Sequence, residues 1–267
     1  MNQITDNYKE ILEFAKSYGL PVTKKRAILR EYLQSKILSI IYQDRISVNL
    51  YFAGGTSLRL LRGMDRFSED LDFDINKSYK NKISGLTAGI LGQFKRENIK
   101  ADLYKNITQR REYYEIRFPD LLNQLKISSE RQEKLAIKLD FEYFWQGMER
   151  EVVLFNRYGF LTNIVTAPLS QILVQKLYAY PERKQTLGRD IYDVIWLAGH
   201  RAKIDEGFAR KNKINPRQLL DAAEKKFSDE RGKLKSLKNK LRPFLIDEKK
   251  INNIDLFTEI IKSLKNS

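Results

Sequence analysis

A chain of 267 residues that is 42% hydrophobic can build one large domain or two modest ones around a real core. It has no cysteine and one histidine, which excludes disulfides, thiolate zinc sites and a cysteine nucleophile and argues against His-dependent triads and multi-His metal sites. Lys and Arg number 49 against 34 Asp and Glu, and the resulting net charge of +15 favours a polyanionic partner, nucleic acid first. No run approaches the roughly 20 apolar residues of a membrane-spanning helix. Met1-Asn-Gln-Ile-Thr-Asp6 lacks the basic segment and apolar run of a signal peptide, so the expected location is the cytoplasm, with no membrane partner.

Residues 1 to about 20 read as a helix that ends near Gly19 and Pro21, with Ile11, Leu12, Phe14 and Ala15 apolar. A second helix starts after Thr23, read as its cap, and Ile28, Leu29, Leu33, Ile37, Leu38 and Ile41 recur at helical spacing. Lys24, Lys25, Arg26, Arg30 and Lys36 decorate it, either as a solvated face or as contacts to RNA phosphates.

Leu50-Tyr-Phe52 then has strand character, Gly54-Gly55 break it, and Ser57-Leu-Arg-Leu-Leu61 resumes with helical spacing: strand, turn, helix. Two glycines let the backbone approach a bulky anion, and a helix that starts there points free N–H groups outward. Thr56 and Ser57 add hydroxyl donors, so the corner suits a polyphosphate. Asp70-Leu-Asp-Phe-Asp74 alternates acid with apolar residue, which on a strand puts Asp70, Asp72 and Asp74 on one face and Leu71, Phe73 and Ile75 on the other. Alternate residues lie roughly 7 Å apart along a strand, a reach that serves two Mg²⁺ ions about 3.5–4 Å from each other. Hard oxygen ligands without Cys or His point to Mg²⁺ or Mn²⁺ rather than zinc. The competing reading is a hairpin-like turn followed by a solvated acidic strand face.

Lys77 to Asn81 reads as a polar loop, Ile83 to about Ile99 as an amphipathic helix, and Leu103-Tyr104 as a strand. Tyr113–Phe118 and Leu135–Tyr143 are strands by their β-branched and aromatic content. In the latter Ala136, Lys138 and Asp140 share one face and Ile137, Leu139 and Phe141 the other, so Asp140 is a site carboxylate or half of an edge ion pair with Lys138. Val152–Phe155 and Leu161–Val165 complete the sheet.

Thr166-Ala-Pro168 opens a helix through Tyr180, with Leu169, Ile172, Leu173, Lys176 and Tyr180 on one stripe. A lysine in that stripe either snorkels at its edge or enters a cleft. The loop from Pro181 to Gly188 carries Arg183 and Lys184, suited to a phosphate tail or RNA. Arg189 and Asp190 begin the next helix, where Asp190 neutralises its positive end or enters a site, and Asp193 follows one turn later on the same face. Spacing does not choose between the two acids. His200, at what reads as a helix end, is structural. From Arg201 onward the chain is helical with short polar breaks, as at Asn215-Pro216, and holds 18 Lys/Arg against 10 Asp/Glu. The run Lys225, Lys226, Arg231, Lys233, Lys235, Lys238, Lys240 and Arg242 is a track for an RNA backbone or solvated helix charge.

Gly54-Gly-Thr-Ser-Leu-Arg59 and Arg66-Phe-Ser-Glu-Asp-Leu-Asp-Phe73 resemble the AbiEii/AbiGii family, the nucleotidyltransferase toxins of type IV toxin-antitoxin systems. Lys176-Leu-Tyr-Ala-Tyr-Pro-Glu-Arg183 with Gly188-Arg-Asp-Ile-Tyr-Asp-Val194 is similar to the family's second block. The resemblance implies an α+β fold: a polymerase-β-like nucleotidyltransferase core of mixed sheet and flanking helices over residues 1–166, then a helical, basic C-terminal domain over 167–267. It implies Asp70, Asp72 and Asp140 as ligands of Mg²⁺ or Mn²⁺, Asp140 being third ligand or base, with Lys176 and Asp190 as further catalytic residues. Gly54, Gly55, Thr56, Ser57, Arg59, Arg66, Ser68, Lys176 and Asp193 would bind the NTP.

The implied reaction moves a nucleoside monophosphate from an NTP to RNA, the tRNA 3′ end first, which would block aminoacylation and translation. A cognate antitoxin, typically a winged-helix repressor, would be encoded beside it without needing to touch the toxin. AMPylation of protein, or transfer to a small molecule such as an aminoglycoside, ranks lower because those acceptors give little reason for the positive surplus. A non-catalytic RNA-binding module would fit a chain that lacked the acids.

Overall fold

The computed structural model describes residues 3–108 and 111–266. Met1 and Asn2 of the expected first helix and Ser267 of the C-terminal region lie outside the described residues. Two compact units form, the first from Met1–Arg62, Phe67–Phe144 and Val152–Thr166, the second from Gly63–Arg66, Trp145–Glu151 and Ala167–Ser267.

In the first unit the N-terminal pattern folds as α1 (Gln3–Asp6), α2 (Tyr8–Ser17) and α3 (Lys25–Ile41), with Gly19 at φ +72° ending the second. Lys24, not Thr23, precedes α3 at its N-cap. The expected solvated face of α3 is largely engaged: Arg26 pairs with Glu133 at 2.6 Å, Arg30 with Glu69 at 3.3 Å, and Lys36, 5% exposed, with Glu97 at 2.5 Å. A helix buried on most of its sides from Ile28 to Ile41 takes its cations into the protein only with partners. After a 3-10 turn at Arg45–Asn49 come β1 (Leu50–Ala53), α4 (Gly54–Arg62) and β2 (Asp70–Ile75). The stretch expected as a polar loop is a 3-10 helix, Lys77–Lys82, whose first turn is closed by the Asn76 side chain accepting from the Ser78 N–H. There follow α5 (Ile83–Arg96), β3 (Asp102–Ile107), β4 (Arg111–Phe118), α6 (Leu121–Gln124), β5 (Leu135–Glu142), β6 (Glu151–Arg157) and β7 (Phe160–Thr166).

The strands form one mixed sheet in the order β3-β4-β5-β2-β1-β7-β6. β2 runs antiparallel to β1 and parallel to β5, and β4 is antiparallel to both β3 and β5. Tyr158 and Gly159, at φ +52° and +79°, make the two-residue turn between β6 and β7, the doubly left-handed geometry that matches strand twist. One face of the sheet is apolar. Across β1, β2 and β5 the rings of Phe52, Phe73 and Phe141 follow one another at 5.5 and 5.1 Å, and Phe94 of α5 meets Phe118 of β4 at 5.3 Å.

The second unit contains α7 (Leu169–Glu182), α8 (Gly188–Gly199), α9 (Glu206–Lys211), α10 (Pro216–Asp229), α11 (Leu234–Leu241) and α12 (Phe257–Lys265). Tyr180, Phe227 and Phe257 bring α7, α10 and α12 together, with ring separations of 5.4 and 4.8 Å. α8 starts hard against α11: a Cβ on Gly188 would lie 2.6 Å from the Leu237 carbonyl oxygen. Residues 63–66 join this unit through a bridge between Arg66 and Leu245. The basic run does not form one helix, because a 3-10 turn at Arg231–Lys233 separates α10 from α11. Among the described residues no helix is long and apolar enough to cross a membrane.

Candidate active site

Leu50-Tyr-Phe-Ala53 pairs with β2 so that Ala53 lies opposite Asp72, and the chain must turn immediately afterwards into α4. Gly54 makes that turn at φ +70°, a conformation costly for any residue with a Cβ. It also sits against the acid: a Cβ there would come within 1.8 Å of Asp72 Oδ2. The glycine corner and the middle carboxylate of β2 are therefore in contact, and the α4 N-terminus starts beside that carboxylate.

The two hydroxyls after the corner, expected as phosphate donors, are engaged within the fold. Thr56 is fully buried and donates to the Asp70 carbonyl, while Ser57, 1% exposed, donates to the Gly54 carbonyl at 3.0 Å. Both fasten α4 to the corner and to β2. Arg59 is likewise turned away from the corner. Its Nε donates to Glu31 Oε2 at 2.8 Å, and Glu31 Oε1 also accepts from Arg157 at 2.9 Å, a buried cluster that ties α4 and β6 to α3.

β2 presents Asp70, Asp72 and Asp74 on the face opposite Leu71 and Phe73, and β5 continues that face, with Asp72 opposite Asp140, Asp70 opposite Lys138 and Asp74 opposite Glu142. Lys138 Nζ stands 3.9 Å from Asp70 Oδ1, so the edge pair that competed with a site role for Asp140 is made to Asp70 instead. Asp140 faces Arg111 at 3.3 Å through Oδ2, whereas its Oδ1 is closed to solvent and meets no hydrogen-bond donor. Burial pushes the Asp140 carboxyl up to about 6; Arg111 and Lys138 oppose the rise, and Glu142 and Asp70 add to it. Just upstream of β2, Ser68 is half-buried, and Gln34 of α3 donates to the Ser68 and Glu69 carbonyls at 3.2 and 2.9 Å. Gln34 is a positioning residue that spacing alone does not reveal, since the amide sits on the buried side of an otherwise ordinary helix.

These carboxylates suit a hard divalent cation. A buried oxygen without a donor is what a metal ligand looks like before its metal is counted. Among the described residues no three carboxylate, imidazole or thiol groups converge into a ready-made metal cage.

The second unit holds the other expected site residues. Lys176 Nζ lies 2.8 Å from Asp193 Oδ2, and Arg66 grips the same carboxylate with Nε and a terminal nitrogen, both at 2.7 Å. Arg66 and Asp193 are each 1% exposed, so Arg66, expected at the nucleotide, is enclosed in this cluster. Burial works to raise the Asp193 carboxyl, but Arg66 and Lys176 outweigh it and hold it below the ordinary carboxylate value. Asp190 differs. It is 6% exposed, its Oδ2 is 3.3 Å from Arg183 Nε but accepts no aligned hydrogen bond, and burial raises its pKa against the pull of Arg183 and Lys176. His200 stacks on Trp196 at 3.7 Å between ring centres, its Nδ1 2.8 Å from the Trp196 carbonyl, at the C-cap of α8.

A glycine corner pressed against an acid-x-acid strand, with a third acid in register on the next strand, defines an α+β nucleotidyltransferase. Residues 36–261 match the family described as nucleotidyl transferase AbiEii toxin, Type IV TA system, and the chain belongs to that family. It is similar in fold to JHP933 from Helicobacter pylori, at 22% identity over 90% of this chain and 94% of that one, with a TM-score of 0.52. A second similar structure is MenT4, a nucleotidyltransferase toxin from Mycobacterium tuberculosis, at 21% identity over 76% of this chain and 68% of that one, with a TM-score of 0.50. None of the curated proteins is significantly similar to the chain.

Proposed function

We propose that this nucleotidyltransferase transfers a nucleoside monophosphate from an NTP to RNA, with the 3′ end of tRNA as first acceptor, and so halts translation. The observation that supports the reading is the close approach of Gly54 to Asp72, which sets the α4 N-terminus beside the middle carboxylate of β2. There the backbone N–H groups of Gly54 and Gly55 hold the phosphate tail, and the inward Thr56 and Ser57 hydroxyls keep the corner rigid. Asp70, Asp72 and Asp140 would hold Mg²⁺ or Mn²⁺, which when bound offsets the charge of the triphosphate. Asp140 is the third ligand or the base that takes the proton from the attacking hydroxyl. The family resemblance adds Lys176 and Asp190 as further catalytic residues, Asp190 being under-bonded where Asp193 is saturated.

The charge surplus favours RNA over a protein or aminoglycoside acceptor. A cytoplasmic setting and an antitoxin encoded nearby complete the reading. The test is incubation of the protein with each labelled NTP, Mg²⁺ and total tRNA, beside Asp72→Asn. Label on tRNA that drops at least about 100-fold in the variant is expected, since positioned charge supplies most of the catalysis in phosphoryl transfer. Label on protein instead would move the activity to AMPylation.

A further inference from the structure

The polar face of the sheet does not stop at Asp140. Asp140 lies opposite Tyr113 on β4, and Tyr113 opposite Asn106 on β3; Lys138 lies opposite Glu115, and Glu115 opposite Tyr104. Neighbouring strands are about 4.8 Å apart, so Tyr113 is one strand from the acid, and Tyr104 is a diagonal step of about 7–8 Å further out. Tyr104 is 46% exposed, with the Arg117 guanidinium 4.9 Å over its ring. Tyr113 donates its hydroxyl to Glu115 at 2.9 Å, and Glu115 also takes Arg117 Nε at 2.8 Å, so one carboxylate steadies both the inner ring and the cation above the outer one. Arg111 and Lys138, each about half exposed, flank Tyr113.

The alternate residues of β4, Tyr114, Ile116 and Phe118, are all fully buried, so the aromatic content of this strand already has a core to fill. Two tyrosines on the other face, among three cations and beside the acids, are surplus to folding. Rings interleaved with cations on an open sheet are what unstacked bases and their phosphates bind. A duplex cannot use such a surface, because its bases stay stacked on each other.

We propose that the β5–β4–β3 face next to Asp140 seats the single-stranded 3′ end of the acceptor RNA, Tyr113 and Tyr104 each stacking a base and Arg111 and Lys138 meeting phosphates. This rests on RNA being the acceptor. The enzyme then selects an unpaired end rather than a base sequence.

Fluorescence anisotropy of the full-length protein with a short labelled single-stranded oligoribonucleotide, beside a blunt RNA duplex, tests it. Tyr104→Ala and Tyr113→Ala should each weaken single-strand binding about 10-fold, within the roughly 5- to 150-fold that loss of one base–aromatic stack implies. Tyr113→Phe, which keeps the ring and drops the hydroxyl, should bind almost as wild type, and NTP affinity should stay unchanged in all three. Undiminished single-strand binding by both alanine variants overturns the proposal, as does an equal loss for duplex or a loss of NTP affinity instead. Weakened binding of the purified antitoxin with RNA binding intact would reassign the face to a protein and overturn it too. Should Tyr113→Ala unfold, the exposed edge variant Tyr104→Ala carries the test. Wild type that labels RNA while the alanine variants label it equally well sinks the platform and leaves the RNA reading standing; wild type that accepts no RNA sinks both.

Discussion

Gly54 combines a left-handed backbone with a closest approach that leaves no room for one added carbon. Gly54→Ala should therefore lower stability by about 1–3 kcal/mol through backbone strain and reduce transfer more than that loss of folding explains, because the new methyl displaces Asp72; thermal unfolding and initial rates measured together separate the two. The paired acids of α8 make the opposite contrast. Asp193 has its pKa held down by Arg66 and Lys176, so the pair contributes fully above the ordinary carboxylate range and is lost as pH falls through the lowered value. Asp193→Asn should cost about 3–5 kcal/mol at neutral pH by breaking a buried ionic cluster, and the gap to wild type should close below about pH 4. Asp190 has its pKa raised, so its ionised form costs stability at neutral pH. Asp190→Asn should leave the unfolding temperature at neutral pH equal or higher while transfer falls; if activity survives there and vanishes in Asp193→Asn without unfolding, the assignment of roles is reversed.

At the scale of the element, the strands were legible because a period of two has only two faces: Asp70 and Asp72, with Phe73 behind them, read directly from the alternation, and Asp140 with Phe141 likewise. Register was not legible. That Asp72 lies opposite Asp140 depends on parallel pairing between strands more than sixty residues apart, and that Ala53 opposite Asp72 brings Gly54 onto it depends on the register of the antiparallel β1–β2 pair. The arginines fared worst for a related reason: Arg59 and Arg66 sit in blocks that read as nucleotide-binding, yet their partners Glu31 and Asp193 are 28 and 127 residues away. A buried cation looks the same as a solvated one in a sequence, and for the same reason Arg30 and Lys36 of α3 are not told apart there from the exposed Lys25 and Arg26. Glu31 is the joint of that hidden cluster, 2% exposed and shared by Arg59 and Arg157. Glu31→Gln should destabilise the protein by about 3–5 kcal/mol, since it leaves the buried Arg59 guanidinium and the part-buried Arg157 short of charge. A fall of less than about 1 kcal/mol in denaturant unfolding would show that the cluster tolerates a neutral partner.

For the whole molecule the relevant quantity is how much of the +15 surplus is already spent on internal pairs. In the basic C-terminal run Lys226 donates to the Pro181 and Arg183 carbonyls, Lys233 pairs with Glu230 at 3.2 Å and Lys238 with Asp255 at 2.6 Å. Lys225, Lys235 and Lys240 are exposed and make neither an ion pair nor a side-chain hydrogen bond among the described residues, whereas the exposed Arg231 reaches Thr258 Oγ1 at 3.5 Å. A polyanion releases counterions for each cation that meets a phosphate, so these three should dominate the salt dependence of RNA binding from this run. Replacing all three with Gln should weaken binding to every RNA by a similar factor and reduce the slope of log affinity against log salt by about 2 to 3, at roughly 0.7 to 0.9 per phosphate contact. The rate of transfer at saturating RNA should hold, because charge that positions a backbone does not take part in the chemistry. A slope that stays where it was, with affinity intact, would mean that this part of the surplus is only solvated helix charge and that RNA is held by the sheet face alone.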